Sequence, residues 1–144
     1  MLKSLSKDRA CEVANIEKEC FGAEGWSIES VLSSLEKPYC TFEVLEIDGV
    51  IVGYYSFYNL GGEAYINNIA VKPEYQGKGY GKLLLNRLVE KAKEGASAIT
   101  LEVRKSNLRA QNLYESAGFK NKGIRPKFYN NTEDAVIYWY KMED

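Results

Sequence analysis

The chain has 144 residues, 45% hydrophobic and 27% charged, with a formal net charge of −1. That is the make-up of one ordinary globular domain, not of a fibrous, disordered or membrane-spanning chain, and the near-neutral balance leaves no basic footprint for nucleic acid or an anionic membrane. Histidine is absent, which excludes Ser-His-Asp and Cys-His chemistry and histidine-based metal centres; a general base must be Glu, Asp, Lys, Tyr or a water held by one of them.

Cys11, Cys20 and Cys40 form an odd set with no Cys-x-x-Cys pair, so neither a disulfide framework nor a metal site is expected. The segment Met1 to Asp8 becomes charged before any apolar run reaches signal-peptide length, and nowhere do eighteen apolar residues occur in a row. A cytoplasmic protein is expected. No repeat or low-complexity stretch interrupts the chain, and residues 1–144 read as a single alternating α/β (α+β) domain.

A short strand over Leu2 to Leu5 comes first. From Lys7 to Phe21, Ala10, Val13, Ala14, Glu17 and Phe21 recur at helical spacing, which predicts a helix. Gly22 and Gly25 break it, and Ser27 is suited to cap a second, shorter helix that runs through Leu35. Tyr39 to Ile47 and Val50 to Leu60 are rich in aromatic and β-branched residues around Asp48-Gly49, the pattern of two strands joined by a two-residue hairpin turn. The next strand, Glu63 to Val71, has its alternation upset at Asn67-Asn68, as a bulge or a ligand-facing edge would do. Leu84, Leu85, Leu88 and Ala92 share one face of a helix over Gly79 to Glu94, and Gly95 stands where a C-terminal cap belongs. A buried strand over Ile99 to Val103 follows. Ser106 or Asn107 can cap the helix that carries Ala110, Leu113, Tyr114 and Ala117, which Gly118 ends. Strands near Phe119 to Lys127 and Ala135 to Met142 close a mixed sheet of about seven strands flanked by about four helices.

The segment Gln76-Gly77-Lys78-Gly79-Tyr80-Gly81 leaves a strand and opens a helix. Free backbone N–H groups and the positive end of the helix dipole converge there, which suits a phosphate, and glycines let a diphosphate approach the amides closely. Two common phosphate motifs fail. In Gly-x-Gly-x-x-Gly, the third glycine position falls on Lys82 or Leu84; in the nucleotide P-loop, Gly81-Lys82 is followed by Leu83 where Ser or Thr is required.

What fits is Gln-x-x-Gly-x-Gly at Gln76, Gly79 and Gly81, which resembles the pyrophosphate loop of the GNAT acetyltransferases. Further along, Asn68-Ile69-Ala70-Val71-Lys72-Pro73-Glu74-Tyr75 is similar to the family's pantetheine-side strand. Leu101-Glu102-Val103-Arg104, Asn107 and Leu113-Tyr114-Glu115-Ser116-Ala117-Gly118-Phe119 are similar to its downstream elements. The resemblance spans most of the chain and is closest to the ribosomal-protein-alanine N-acetyltransferase (RimI) branch. It implies a GNAT fold and transfer of an acetyl group from acetyl-CoA to an amine without a metal. The implied acceptor is the α-amine of a protein N-terminus, a ribosomal protein among the candidates.

Backbone groups at Ile69, Ala70 and Val71 would then pair with the pantetheine arm. The loop residues Gln76, Gly77, Lys78, Gly79, Tyr80, Gly81 and Lys82 would hold the diphosphate, and Asn107 would either cap its helix or bond a pantetheine amide. A protein α-amine has a pKa near 8 and needs a base to react at neutral pH. Glu102, on a strand between Leu101 and Val103, is the expected base, directly or through water; the resemblance places the branch's catalytic glutamate there. Tyr114 can protonate the leaving thiolate, the family's proton-donor position, or serve as a core aromatic. Tyr129 and Trp26 are candidate acceptor contacts. The sequence departs from the branch at Arg125-Pro126-Lys127 and at Gly22-Ala23-Glu24-Gly25-Trp26, both on the acceptor side. A GNAT enzyme acting on a small amine or a lysine side chain, and a non-catalytic acyl-CoA sensor, are the alternative readings.

Overall fold

A computed structural model of the chain describes residues 1–129 and 133–142, with side chains except those of 127–129. Seven strands form one sheet in the order β1-β2-β3-β4-β5-β7-β6: β1 (Leu2–Ser4), β2 (Cys40–Ile47), β3 (Val50–Leu60), β4 (Glu63–Val71), β5 (Ala98–Arg104), β6 (Lys120–Tyr129) and β7 (Glu133–Lys141). The α-helices among the described residues are α1 (Ala10–Phe21), α2 (Ile28–Leu35), α3 (Tyr80–Ala92) and α4 (Leu108–Ser116). The mixed sheet and its four helices match the sequence expectation. The segment expected to be helical from Lys7 begins as a single 3₁₀ turn, Lys7–Arg9.

Local chemistry accounts for the elements. The β2–β3 turn needs left-handed backbone at both central residues, and Asp48 (φ 51°) and Gly49 (φ 81°) supply it. Ser27 caps α2 by accepting from the Ser30 N–H at 3.2 Å. Strand β3 carries neighbouring tyrosines to opposite faces: Tyr54 packs with Val13, Ile16, Val31 and Phe42 under α1 and α2, whereas Tyr55 packs with Leu84, Leu85 and Leu88 under α3. Helices on both faces explain why β3 reads as a nearly continuous apolar run.

One buried carboxylate ties α3 to the sheet. Glu43, on β2, accepts from the Tyr55 hydroxyl and, at 3.1 Å, from Arg87 Nε on α3. Burial pushes this carboxyl up, but the two donors and the charges of Arg87 and Lys91 outweigh it and hold the group below its usual range. A depressed carboxyl stabilises the fold above the unfolded-state value and loses that contribution as pH falls through the folded one. Glu43→Ala is therefore expected to cost about 2–4 kcal/mol in urea unfolding at pH 7, because it orphans a buried phenol as well as removing charged hydrogen bonds. The deficit should shrink as pH drops below 4.5, the ordinary value of the group. An unchanged urea midpoint at pH 7 would contradict this.

Two features of β4 create the site. Between Ser56↔Asn68 and Phe57↔Ile66 the β3–β4 register shifts, so Asn67 is the extra residue of a bulge, where the sequence pattern put one. On its other edge β4 pairs with β5 in parallel only at Glu63↔Ala98, Ala64↔Ile99 and Tyr65↔Thr100. Past that point β5 stays with β7 as far as Arg104↔Ala135, β4 follows β3, and a cleft opens between them in mid-sheet.

Candidate active site

Along its open edge β4 has backbone groups with no partner strand, and the register says which. Lys72 N–H bonds the Val52 carbonyl at 2.8 Å across the β3 edge. Antiparallel partners alternate in direction, so Ala70 also turns its polar groups to β3, while Ile69 and Val71 turn theirs to the cleft. Of the three residues expected to meet pantetheine through their main chain, Ala70 is thus excluded from that role; it still lines the cleft. The Val71 carbonyl accepts from Gln76 Nε2 at 2.9 Å and from Cys20 Sγ at 3.3 Å, and the Ile69 N–H is held by Asn68 Oδ1 at 3.0 Å.

At the far end of the cleft lies the N-terminus of α3. Gly79 stands at its N-cap in left-handed conformation, φ 87°, with no side-chain cap, and Gly77 has φ 80°. Leu83 N–H bonds back to the Gly79 carbonyl at 3.1 Å, so the N–H groups of Tyr80, Gly81 and Lys82 precede the first helical bond. The first turn has no acidic residue and instead carries Lys82, adding positive charge to the positive pole of the helix. Arg109, from the first turn of α4, brings a second cation by donating to Gln76 Oε1 at 2.6 Å. Such an accumulation suits a di-anion. Gln76, Gly77, Gly79, Gly81 and Lys82 line the cleft; Lys78 and Tyr80 are not among its lining residues, and Lys78 Nζ lies 5.8 Å over the Tyr75 ring.

One cavity of about 840 Å³ joins this end to Glu102, Tyr114, Asn107 and Trp26. The Glu102 side chain is only 8% exposed; its Oε1 accepts from the Tyr65 hydroxyl and lies 4.0 Å from Arg125 Nη1. Tyr65 closes the last β4–β5 pair, opposite Thr100, two residues along β5 from Glu102 and hence on the same face. Tyr114 is a core aromatic, with ring centroids 5.4 Å from Phe119 and 6.2 Å from Tyr138, and it also lines the cavity. Asn107 caps α4, its Oδ1 accepting from the Ala110 N–H at 3.1 Å, which leaves its NH₂ as the group a ligand could use. Tyr129 belongs to β6 and pairs with Glu133 through the backbone; its side chain lies outside the described residues.

Sequence reasoning missed Tyr65, Arg109 and Arg125, and also the cavity wall formed by Glu17, Cys20, Phe21 and Glu24. For Arg109 a signal existed, since it follows the Asn107 cap by two residues and so lies in a first helical turn. Among the described residues no group of three His, Cys, Asp or Glu side chains is placed to hold a metal ion, and no helix is long and apolar enough to cross a membrane.

The model of the acetyltransferase (GNAT) family matches residues 10–119. The chain belongs to this family. Among relatives of the acetyltransferase, a Bacillus subtilis protein whose name provisionally assigns it ribosomal protein bS18-alanine N-acetyltransferase activity is 40% identical over 135 residues, covering 92% of this chain and 89% of the relative. The Escherichia coli K12 ribosomal protein bS18-alanine N-acetyltransferase is 37% identical over 116 residues, 78% of each chain. The crystal structure of an Escherichia coli ribosomal-protein-S18-alanine N-acetyltransferase superposes on the acetyltransferase with a TM-score of 0.91 at 31% identity, covering 100% of this chain and 94% of that one.

Proposed function

We propose that the enzyme transfers the acetyl group of acetyl-CoA to the N-terminal α-amine of a protein, of the ribosomal-protein-alanine type, by direct attack in a ternary complex. One observation carries the reading: the bare N-terminus of α3, the open edge of β4 and the Glu102–Tyr114 pair all line a single cavity. The similarity to bS18-alanine acetyltransferases supports the choice of acceptor.

Acetyl-CoA supplies the activated acyl group; the chain supplies position and protons. Main-chain N–H groups of Tyr80, Gly81 and Lys82, with Lys82 and Arg109, hold the diphosphate, and the cleft-facing groups of Ile69 and Val71 pair with the pantetheine arm as an added strand. Glu102, directly or through water, takes a proton from the acceptor ammonium so that the amine can attack the thioester carbonyl. A cleft-facing N–H of β4 stabilises the oxyanion that forms. When the C–S bond breaks, Tyr114 donates its phenolic proton to the departing thiolate and recovers one from solvent or the new amide nitrogen. A covalent acetyl-cysteine route is disfavoured: Cys20, the cysteine lining the cavity, has its thiol pushed up by burial, and no histidine exists to activate it.

The test is to incubate the protein with acetyl-CoA and a mixed set of Ala-start peptides, other N-termini, lysine peptides and small amines, and to find by mass which gains an acetyl group. Preferential acetylation of Ala-start α-amines is expected. Transfer to polyamines or lysine side chains alone would replace this acceptor, and binding of acetyl-CoA without turnover on any amine would leave only a sensor.

A further inference from the structure

Glu17 is a buried carboxylate that the chemistry above does not use. It lies on α1 at 1% exposure, where an ionisable group is stable only if its oxygens are hydrogen-bonded. Both are. Oε1 accepts from the main-chain N–H of Trp26 at 2.9 Å, and Oε2 accepts from Asn68 Nδ2 at 2.6 Å. Asn68 is next to the β4 bulge, and with its Nδ2 turned to Glu17 its Oδ1 accepts from the Ile69 N–H at 3.0 Å. A continuous chain of hydrogen bonds therefore runs from the Trp26 loop, through one carboxylate, to the cleft-facing amide of the strand beside the thioester site.

Two further contacts press the same parts together. A Cβ built on Gly25 would lie 2.6 Å from the Glu17 carbonyl oxygen, so the loop before Trp26 rests directly on α1 at this residue. One turn on, Cys20 Sγ donates to the Val71 carbonyl at 3.3 Å. Glu17, Cys20, Trp26, Asn68 and Ile69 all line the cavity.

We infer that Glu17 is a positioning residue for acetyl transfer: by accepting from Trp26 and Asn68 at once, it sets the acceptor-side loop against the open edge of β4 and fixes the direction of the Asn68 carboxamide. This assignment rests on the proposed function. On that reading the acceptor's extended backbone, behind its amine, enters between the Trp26 loop and β4, both of which line the cavity. On the coenzyme side the bridge reaches only the Ile69 N–H; the diphosphate end, at the N-terminus of α3, does not touch it, so the acceptor is the substrate that feels its loss most.

Exchanging the two polar groups tests it. In Glu17→Gln an NH₂ meets the NH₂ of Asn68, and a flip of Asn68 would only move the conflict to the Ile69 N–H. In Glu17→Gln/Asn68→Asp the donor and acceptor are swapped, with the same shape, and every bond of the chain can re-form. Kinetics are read with acetyl-CoA and the best acceptor, and acrylamide quenching of Trp26 is read in a Trp139→Phe background. Glu17→Gln is expected to raise the acceptor KM about tenfold, leave the acetyl-CoA KM within about twofold and make Trp26 more quenchable; the double variant should return the acceptor KM to within about threefold of wild type. An unchanged acceptor KM in Glu17→Gln, an equal loss for both substrates, or a double variant no better than the single one would overturn the assignment. Should the wild type acetylate no amine, the proposed function fails instead, and the positioning role with it, even if quenching reports the bridge.

Discussion

Glu102→Gln is expected to lower kcat about a hundredfold or more while leaving the KM for acetyl-CoA within about twofold, because it removes the proton acceptor and, besides that, a weak 4.0 Å ion pair with the half-exposed Arg125. Glutamine keeps a carbonyl oxygen for the Tyr65 hydroxyl, which now donates to Glu102 Oε1, so the strand and its neighbour need not move. What is lost is the ability to take the ammonium proton. The residual rate of the variant should rise with pH up to about 8, following the free-amine fraction of the acceptor. Tyr114→Phe should act at the other proton. The ring is packed against Phe119 and Tyr138, and phenylalanine preserves those contacts, so a drop in kcat of about a hundredfold in a variant that stays folded at the assay temperature would report the hydroxyl and not the ring. Full turnover in both variants would remove these roles, and a large rise in the acetyl-CoA KM would mean that the residues hold the coenzyme.

Gly81→Ala should separate ligand approach from backbone strain. Gly77 and Gly79 have φ values of 80° and 87°, so a side chain at either would strain the loop whether or not anything binds there. Gly81 differs: it lies inside α3, and an added Cβ would have only Leu113 Cδ2 nearby, at an ordinary 3.7 Å. Alanine is the better helix former there, and the variant should be more stable by about 0.5–1 kcal/mol. Yet the methyl group would stand in the cavity beside the first free amides. Affinity for coenzyme A is expected to fall about tenfold or more while thermal stability is kept or raised, since the diphosphate loses close approach to the N–H groups. Isothermal titration beside a melting curve checks both halves, and undiminished affinity would mean that the diphosphate docks elsewhere.

Local signals carried much of this picture. The Asp48-Gly49 turn, the Ser27 cap, the disturbed alternation at Asn67 and the glycines before α3 are short-range patterns whose physics is complete within a few residues, and each stands in the structure where the pattern put it. The cleft was not legible in the same way. It exists because β4 and β5 part after Tyr65↔Thr100 and because β7 inserts between β5 and β6, and both are pairings between distant segments that no window of sequence encodes. The same holds for the side chains that serve Glu102: Tyr65 and Arg125 stand 37 and 23 positions away from it in the chain and meet it only through the sheet. Ala70 illustrates the limit on a finer scale. Its neighbours marked the right strand, but which of three consecutive residues turns its amide to the cleft is set by the β3–β4 register, one position of which reverses the answer.

The proposed transfer requires the diphosphate of the coenzyme to be clasped by the amides of residues 80–82, which delivers its acyl end between Glu102 and Tyr114. A crystal structure of the protein with coenzyme A tests this directly. The result expected is diphosphate oxygens within about 3 Å of those N–H groups, with the pantetheine arm along Ile69 and Val71 and the sulfur next to Tyr114. A diphosphate bound away from the α3 N-terminus, or a sulfur remote from both Glu102 and Tyr114, would contradict it.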